Sequence, residues 1–119
     1  NLIDSWQYGR IAVPMKSKAR YELRAKVAKA LAHPTRLLLL DALREKELCV
    51  CEMTEIAGLD QSTVSKHLAL LKDAGLVSVE KKGPMSVFSL KYQCLDGFFG
   101  CIEAVLQQNL KDQQALVTY

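Results

Sequence analysis

A mainly α-helical single domain carrying one β-hairpin is the fold class that this 119-residue chain predicts. Three observations carry it. Apolar residues recur at three- and four-residue spacing through about five stretches. A short helical stretch ends at Gly58 and is followed at once by a longer one with a polar face. Two alternating stretches flank Lys81-Lys82-Gly83-Pro84, the pattern of a hairpin. With 50% apolar residues the chain builds one core, yet a domain this small leaves much of its surface wet, and a dimer would cover more of it.

The elements follow in order. Residues 1–14 lack periodicity and Met15-Lys16 reads as a natural start, so residues 1–16 are set apart as an N-terminal tail or an expression remnant. Over 17–32, Tyr21, Leu23, Val27, Ala28 and Leu31 recur among lysines and arginines, giving an amphipathic first helix. His33-Pro34-Thr35 starts the second, because proline's missing N–H costs nothing in a first turn. That helix runs to about residue 46; Leu37, Leu38, Leu39 and Leu40 make it apolar nearly all round, and Arg44 and Lys46 complement the negative end of its dipole. A third, over 51–57, buries Met53, Ile56 and Ala57 before Gly58 stops it in the left-handed conformation.

The fourth helix begins at Asp60 or Gln61 and ends at Gly75. Val64, Leu68 and Leu71 form its core stripe, and Ser62, Ser65, Lys66 and Ala69 lie opposite, small or polar enough to approach another surface. Two helices joined by a tight turn are a helix-turn-helix, whose second member enters the DNA major groove. Residues 76–80 and 87–90 then pair as a basic hairpin, a wing that reaches the phosphate backbone or the neighbouring minor groove. Finally Leu95, Phe98, Phe99, Ile102, Val105, Leu106 and Leu110 make a stripe over 95–114 too broad for an exposed terminal helix. It is expected to form a dimer interface with help from the first helix; the alternative is that it folds back on its own core. The expected organisation is a winged helix-turn-helix over 17–92, a dimerisation helix over 93–119, and a homodimer.

Charge is patterned more than it is large. The net charge is +3, but nine basic residues face three acidic ones over 16–46, four acidic and no basic residues occupy 47–60, and four lysines face two acids over 61–82. Two basic segments that suit phosphates therefore flank an acidic one that suits cations. No export signal and no membrane-length apolar run is visible, so a cytoplasmic protein with no membrane partner is expected, and its four cysteines are expected as thiols or metal ligands.

The candidate DNA contacts are Gln61, Ser62, Thr63, Ser65, Lys66 and His67 at the start of the fourth helix, with Lys82 on the wing. Amides and hydroxyls bond base edges or phosphates, and lysines add charge-assisted phosphate contacts. His67, at the flank of the core stripe, reads equally as a partly buried structural residue, and His33 as a helix-start residue. The candidate metal ligands are Cys49 and Cys51, with Cys94 and Cys101 as secondary candidates. Residues two apart on a helix point about 200° from each other, so a shared ion requires Cys49 to lie outside the helix. Thiolates select soft or borderline ions. The plainer alternative makes one cysteine a small buried hydrophobe. Cys94 and Cys101, seven apart, would lie about 10 Å apart along the last helix and share neither an ion nor a disulfide within it. No acid, base or nucleophile constellation accompanies the thiols, and Cys-Val-Cys lacks the two-residue spacer of thioredoxin-like motifs; an enzyme is not expected, and no organic cofactor.

Leu31-Ala32-His33-Pro34-Thr35-Arg36, Glu47-Leu48-Cys49-Val50-Cys51-Glu52 and Ser62-Thr63-Val64-Ser65-Lys66-His67-Leu68 together resemble the ArsR/SmtB family of bacterial metal-responsive repressors, over roughly residues 19–90. The Cys-Val-Cys box resembles its arsenic- and cadmium/lead-sensing branches. The resemblance implies a homodimeric repressor that leaves its operator when trivalent arsenic or antimony, or alternatively cadmium or lead, binds Cys49 and Cys51. A thiol-redox or persulfide input through Cys94 or Cys101 is the other alternative. The chain departs from the pattern where Thr54 stands in place of the third cysteine of the arsenic branch, where the N-terminus lacks the cysteines of the cadmium/lead branch, where the last helix lacks histidine for a zinc site, and where Pro84-Met85 replaces a basic wing tip.

Overall fold

The computed structural model describes residues 18–117; the expected N-terminal tail, residues 1–16, lies outside them. Among the described residues, five helices and a three-stranded antiparallel sheet follow in the order α1 (Lys18–Leu31), α2 (Pro34–Leu43), β1 (Leu48–Cys49), α3 (Val50–Ala57), α4 (Gln61–Asp73), β2 (Val77–Lys82), β3 (Met85–Leu90) and α5 (Leu95–Val117). The chain is thus mainly helical, with the expected helix-turn-helix at α3–α4 and the wing at β2–β3.

Local chemistry sets the boundaries. His33, extended, caps α2 by accepting the Thr35 N–H at Nδ1 (3.0 Å), with Pro34 in the first turn. Asp60 caps α4, and the helix closes in a Schellman motif: Leu76 N–H donates to the Leu71 carbonyl (3.0 Å), Gly75 N–H to that of Lys72 (2.9 Å), and Gly75 takes a φ of +83°. Gly58, at φ +67°, stops α3 as its sequence position indicated. The hairpin turns in two residues, Gly83-Pro84, with Gly83 at φ +63°, which lets the strands extend to Lys82 and Met85 rather than ending at residues 80 and 87 as expected.

The core gathers where these elements meet. Leu39 and Leu40 of α2, Met53 of α3 and Val64, Leu68 and Leu71 of α4 are all at 0–1% exposure, with Leu48, Val77 and Phe88 closing the sheet side. Three expectations change. The second helix ends at Leu43, not near residue 46, with Arg44, still in helical conformation, as its C-cap; the Arg44 guanidinium pairs with Asp41 and with Asp96 of α5 (both 2.6 Å). Ile56 is exposed, so Met53 anchors α3 with Val50 and Ala57 packed partly against the core beside it. The last helix divides its stripe: Leu95 is buried and Phe98 and Phe99 pack on the core, as the fold-back alternative held, while Ile102, Val105, Leu106 and Leu110 face outward. The α1 residues Tyr21, Leu23 and Val27 are likewise exposed.

One polar cluster pins the recognition helix to the scaffold. Arg36 donates to the carbonyls of Ala30 (2.6 Å) and Lys29 (3.0 Å) at the end of α1 and, from its Nη1, to His67 Nδ1 (3.2 Å) on α4. An arginine only donates, so His67 Nδ1 accepts and its proton sits on Nε2. The rings of His33 and His67 lie 4.4 Å apart. Partial burial, then the nearby His33 and Arg36, hold the His67 pKa below its ordinary value. A group whose folded pKa is depressed contributes stability above its unfolded pKa and loses it as pH falls through the folded one. Unfolding free energy is therefore expected to decline as pH drops below about 6.5, and His67→Gln is expected to flatten that slope; urea titrations between pH 7.5 and 5 check it, and an equal slope in both proteins would remove His67 as the cause.

Candidate nucleic-acid interface and thiol site

Gln61, Ser62, Ser65 and Lys66 are exposed on the first turns of α4, on the side away from Val64 and Leu68. The core stripe forces this arrangement, since burying Val64, Leu68 and Leu71 turns the intervening polar positions outward. Ser62 and Thr63 do more than present hydroxyls: both donate to Asp60 (2.5 Å each), and the Thr63 N–H bonds the same carboxylate (3.2 Å). Those bonds, Ser62's first, lower the Asp60 pKa to about 2, so the cap is a fixed anion at neutral pH. It compensates the helix N-terminus and organises the turn, while the hydroxyl oxygens keep lone pairs free to accept. His67 is half-buried, with its Nδ1 on Arg36 and its ring beside that of His33.

Lys82 closes β2 at the hairpin's end and pairs with Glu47 (2.6 Å), which raises its pKa. Both groups are about half exposed, so the pair is open to solvent and exchange with a phosphate is inexpensive. Lys81 stands beside it, exposed.

The thiol pair sits at the junction of wing and helix-turn-helix. Leu48 and Cys49 form a strand that escaped sequence reading, pairing antiparallel with β3 so that Cys49 lies opposite Val87 and Leu48 opposite Phe88. Cys49 is extended (φ −82°, ψ 165°), outside α3, as a shared site for two sulfurs requires. It is also the N-cap: its sulfur accepts the Glu52 N–H (3.4 Å), and the Glu52 carboxylate accepts the Cys49 N–H (3.0 Å), a reciprocal capping box. The signal was in the sequence, with Glu three residues after a side-chain acceptor, but cysteine stands where serine or threonine is usual. Cys49 is 5% exposed and Cys51 exposed; their Cα atoms are 5.4 Å apart and their sulfurs are joined as a disulfide. Together with Val50, Gln61, Pro84, Met85 and Ser86 they line an open cleft of about 180 Å³.

Two converging sulfurs whose thiolates would sit at a helix N-terminus suit a soft ion. Among the described residues no third cysteine, histidine or carboxylate completes a group of three. Thr54, at the position of the expected third thiol, has a buried hydroxyl oxygen without a partner. Cys94 and Cys101 are free and exposed. Cys94 lies in the turn before α5, not on the helix, so the axial separation expected for a single regular helix does not describe this pair. No helix among the described residues is long and apolar enough to cross a membrane.

Comparison with known proteins agrees with this geometry. The model of the family described as bacterial regulatory protein, arsR family, matches residues 33–79, which run from the α2 cap to the middle of β2. The HTH-type transcriptional regulator Rv0081 of Mycobacterium tuberculosis is 31% identical over 104 residues, covering 87% of this chain and 91% of that protein. Its crystal structure superposes with a TM-score of 0.73 over 82% of this chain and 98% of its own. An arsenical resistance operon repressor of Staphylococcus xylosus is 36% identical over 64% of this chain and 73% of the repressor. A homodimeric winged helix-turn-helix DNA-binding domain from Mycobacterium bovis, 28% identical, superposes with a TM-score of 0.71 over 82% of this chain and 90% of that one. With recognition helix, wing and full-length relative in agreement, the chain belongs to the arsR family of bacterial regulatory proteins, regulators of transcription rather than enzymes.

Proposed function

We propose that the chain is a homodimeric repressor that binds operator DNA through α4 and the wing, and is released when a thiophilic inducer, trivalent arsenic or antimony, binds Cys49 and Cys51. One observation carries the proposal. The residue that caps α3, Cys49, is also paired with the wing strand β3, and its cleft opens onto Gln61, the first residue of α4. Both DNA-reading elements thus meet at the thiols. When arsenite binds, each reduced thiol passes its proton to a departing hydroxide, leaving as water, and two As–S bonds form. The Cys49 sulfur then points its lone pair at the inducer instead of at the Glu52 N–H, and the capping box loosens.

A coupling of ~1–3 kcal/mol between inducer and DNA sites corresponds to ~5–150-fold weaker operator binding. With an operator selected from a random duplex pool, fluorescence anisotropy of the reduced protein should show that loss on adding arsenite. A Cys49→Ala, Cys51→Ala double variant should stay bound; if it leaves DNA as readily as the unaltered protein, the inducer site lies elsewhere. Cadmium and lead, run in parallel, rank the inducers.

A second reading has its own observation, the joined sulfurs of Cys49 and Cys51. Here an oxidant such as a hydroperoxide takes two electrons and two protons from the thiols and forms the disulfide, with the exposed Cys94 and Cys101 available for crosslinks between chains. Mild oxidation in the same assay distinguishes it: mass spectrometry reports the bond, and unchanged DNA affinity after complete oxidation ends this reading.

The DNA-contact residues are Gln61, Ser62, Thr63, Ser65 and Lys66 on α4, with Lys82 on the wing. Lys66→Ala is expected to weaken binding to all duplexes nearly uniformly and to lower the slope of log affinity against log salt by about one per subunit. An unchanged slope would take Lys66 off the phosphates.

Dimerisation is assigned to the outward α5 residues Ile102, Val105, Leu106 and Leu110 together with Tyr21, Leu23 and Val27 of α1, an apolar surface larger than scattered exposure accounts for. Leu106, 53% exposed in the single chain, is the probe. Leu106→Glu should sediment as a monomer with helical content retained, and lose operator affinity with it; a dimer of unchanged mass would refute the assignment.

A further inference from the structure

We infer that Met85 supplies a third sulfur to the Cys49–Cys51 site, and that the site thereby accepts a soft monovalent cation, copper(I). This rests on the reading of Cys49 and Cys51 as an ion site and names the donor that reading lacks.

Three observations meet at Met85. The first is register. Cys49 lies opposite Val87 on β3, and Met85, two residues before Val87, projects to the same side of that strand. The β1–β3 ladder ends at Cys49, where the chain turns into α3, and Met85 with Cys51 at that helix's first turn lines the same cleft. The second is the cleft, which is lined by three sulfur-bearing side chains, Cys49, Cys51 and Met85, and by no carboxylate or imidazole. The third is exposure. Met85 is 47% exposed at the hairpin tip, where packing gives a long apolar side chain no purpose. Its backbone is nonetheless held: it pairs with Lys82 across a two-residue turn whose second member, Pro84, has a fixed φ.

The donor set selects the ion. A thioether is neutral, soft and a poor ligand for hard cations, and thiolate with thioether is the combination that favours copper(I). Trivalent arsenic bound to two thiolates completes its shell with hydroxide and has no need of Met85. The two classes therefore share the cysteines and differ in the wing. Binding copper(I) displaces two thiol protons and adds one positive charge, so each site becomes more negative by one charge, beside the surface assigned to DNA phosphate. It also ties the wing tip to the start of α3, which arsenic at the cysteines alone would not do.

The test uses the full reduced chain under anaerobic conditions, with copper(I) supplied against a chromophoric copper(I) chelator and arsenite titrated separately. The unaltered protein should take one copper(I) per chain with three sulfur neighbours by X-ray absorption. Met85→Leu, close in volume and exposed, should lower the sulfur number to two and weaken copper(I) by on the order of tenfold or more, the scale on which losing even an outer-shell partner is felt at a metal site. Arsenite binding should be unchanged in that variant. If Met85→Leu keeps three sulfurs and full copper(I) affinity, Met85 is not a ligand and the inference fails, while arsenite binding lost only in the Cys49→Ala, Cys51→Ala variant leaves the underlying site intact. If the unaltered chain binds neither ion, or the double cysteine variant binds both, the inference and the ion site fall together.

Discussion

The extended backbone of Cys49 is the constraint on which the working parts of this molecule depend. A residue continuing α3 would carry its sulfur away from that of Cys51 and could not pair with β3. Because Cys49 is extended, it does three things at once: it ends a two-residue strand on the wing, caps the following helix, and brings its sulfur to Cys51. Its burial follows from the strand pairing, since Leu48 and Phe88 close the sheet over the core beside it. The wing is thereby tied to the segment that enters the helix-turn-helix as well as to the end of α4, from which β2 follows directly.

Much of this was legible in the sequence, for definite reasons. Gly58 and Gly75 stop helices in left-handed conformations, His33-Pro34 starts one, and Val64, Leu68 and Leu71 repeat at helical period, so the helices and the inward face of α4 followed from local rules. The requirement that Cys49 lie outside the helix came from elementary helix geometry. What escaped was non-local. Leu48-Cys49 is too short to show alternation and becomes a strand only because β3 passes beside it. Arg36 reaches three partners on two other elements, and no spacing rule signals that. Arg44, at the end of α2, pairs with Asp96, 52 residues later, and no local pattern signals that contact. The stripe of α5 was recognised as too broad for solvent, but its division between the protomer's own core at Leu95, Phe98 and Phe99 and an outward face beyond Ile102 depends on where the helix leaves the domain.

The cluster of Arg36, His33 and His67 gives the recognition helix a second anchor, independent of the thiols. Arg36 holds the end of α1, and through His67 it holds the middle of α4. The surface proposed for dimerisation includes α1, so the orientation of α4 in one protomer is tied to the element that would set the distance to its partner. Two half-sites are read correctly only if the two recognition helices keep a fixed separation. A polar clamp suits that purpose better than apolar packing, because its hydrogen bonds fix direction as well as distance.

Magnitudes bear on how a signal at the thiols could reach the DNA. Replacing a good N-cap costs about 0.5–2 kcal/mol, and a sulfur acceptor at 3.4 Å belongs at the weak end of that range. Loosening the Cys49–Glu52 box would therefore account for only the lower part of a coupling of ~1–3 kcal/mol. The remainder has to come from moving an element, and the core decides which one moves. Met53, Leu68 and Leu71 are fully packed between α3 and α4, and a close-packed interior resists a shift of one helix against the other. The wing is under less restraint: from Glu80 to Met85 its tip is exposed, and it is held by its own ladder and the solvent-open Lys82–Glu47 pair. An event at Cys49 and Cys51 thus transmits most cheaply to the wing through the shared β1–β3 pairing, with α4 following only as far as the capped start of α3 permits.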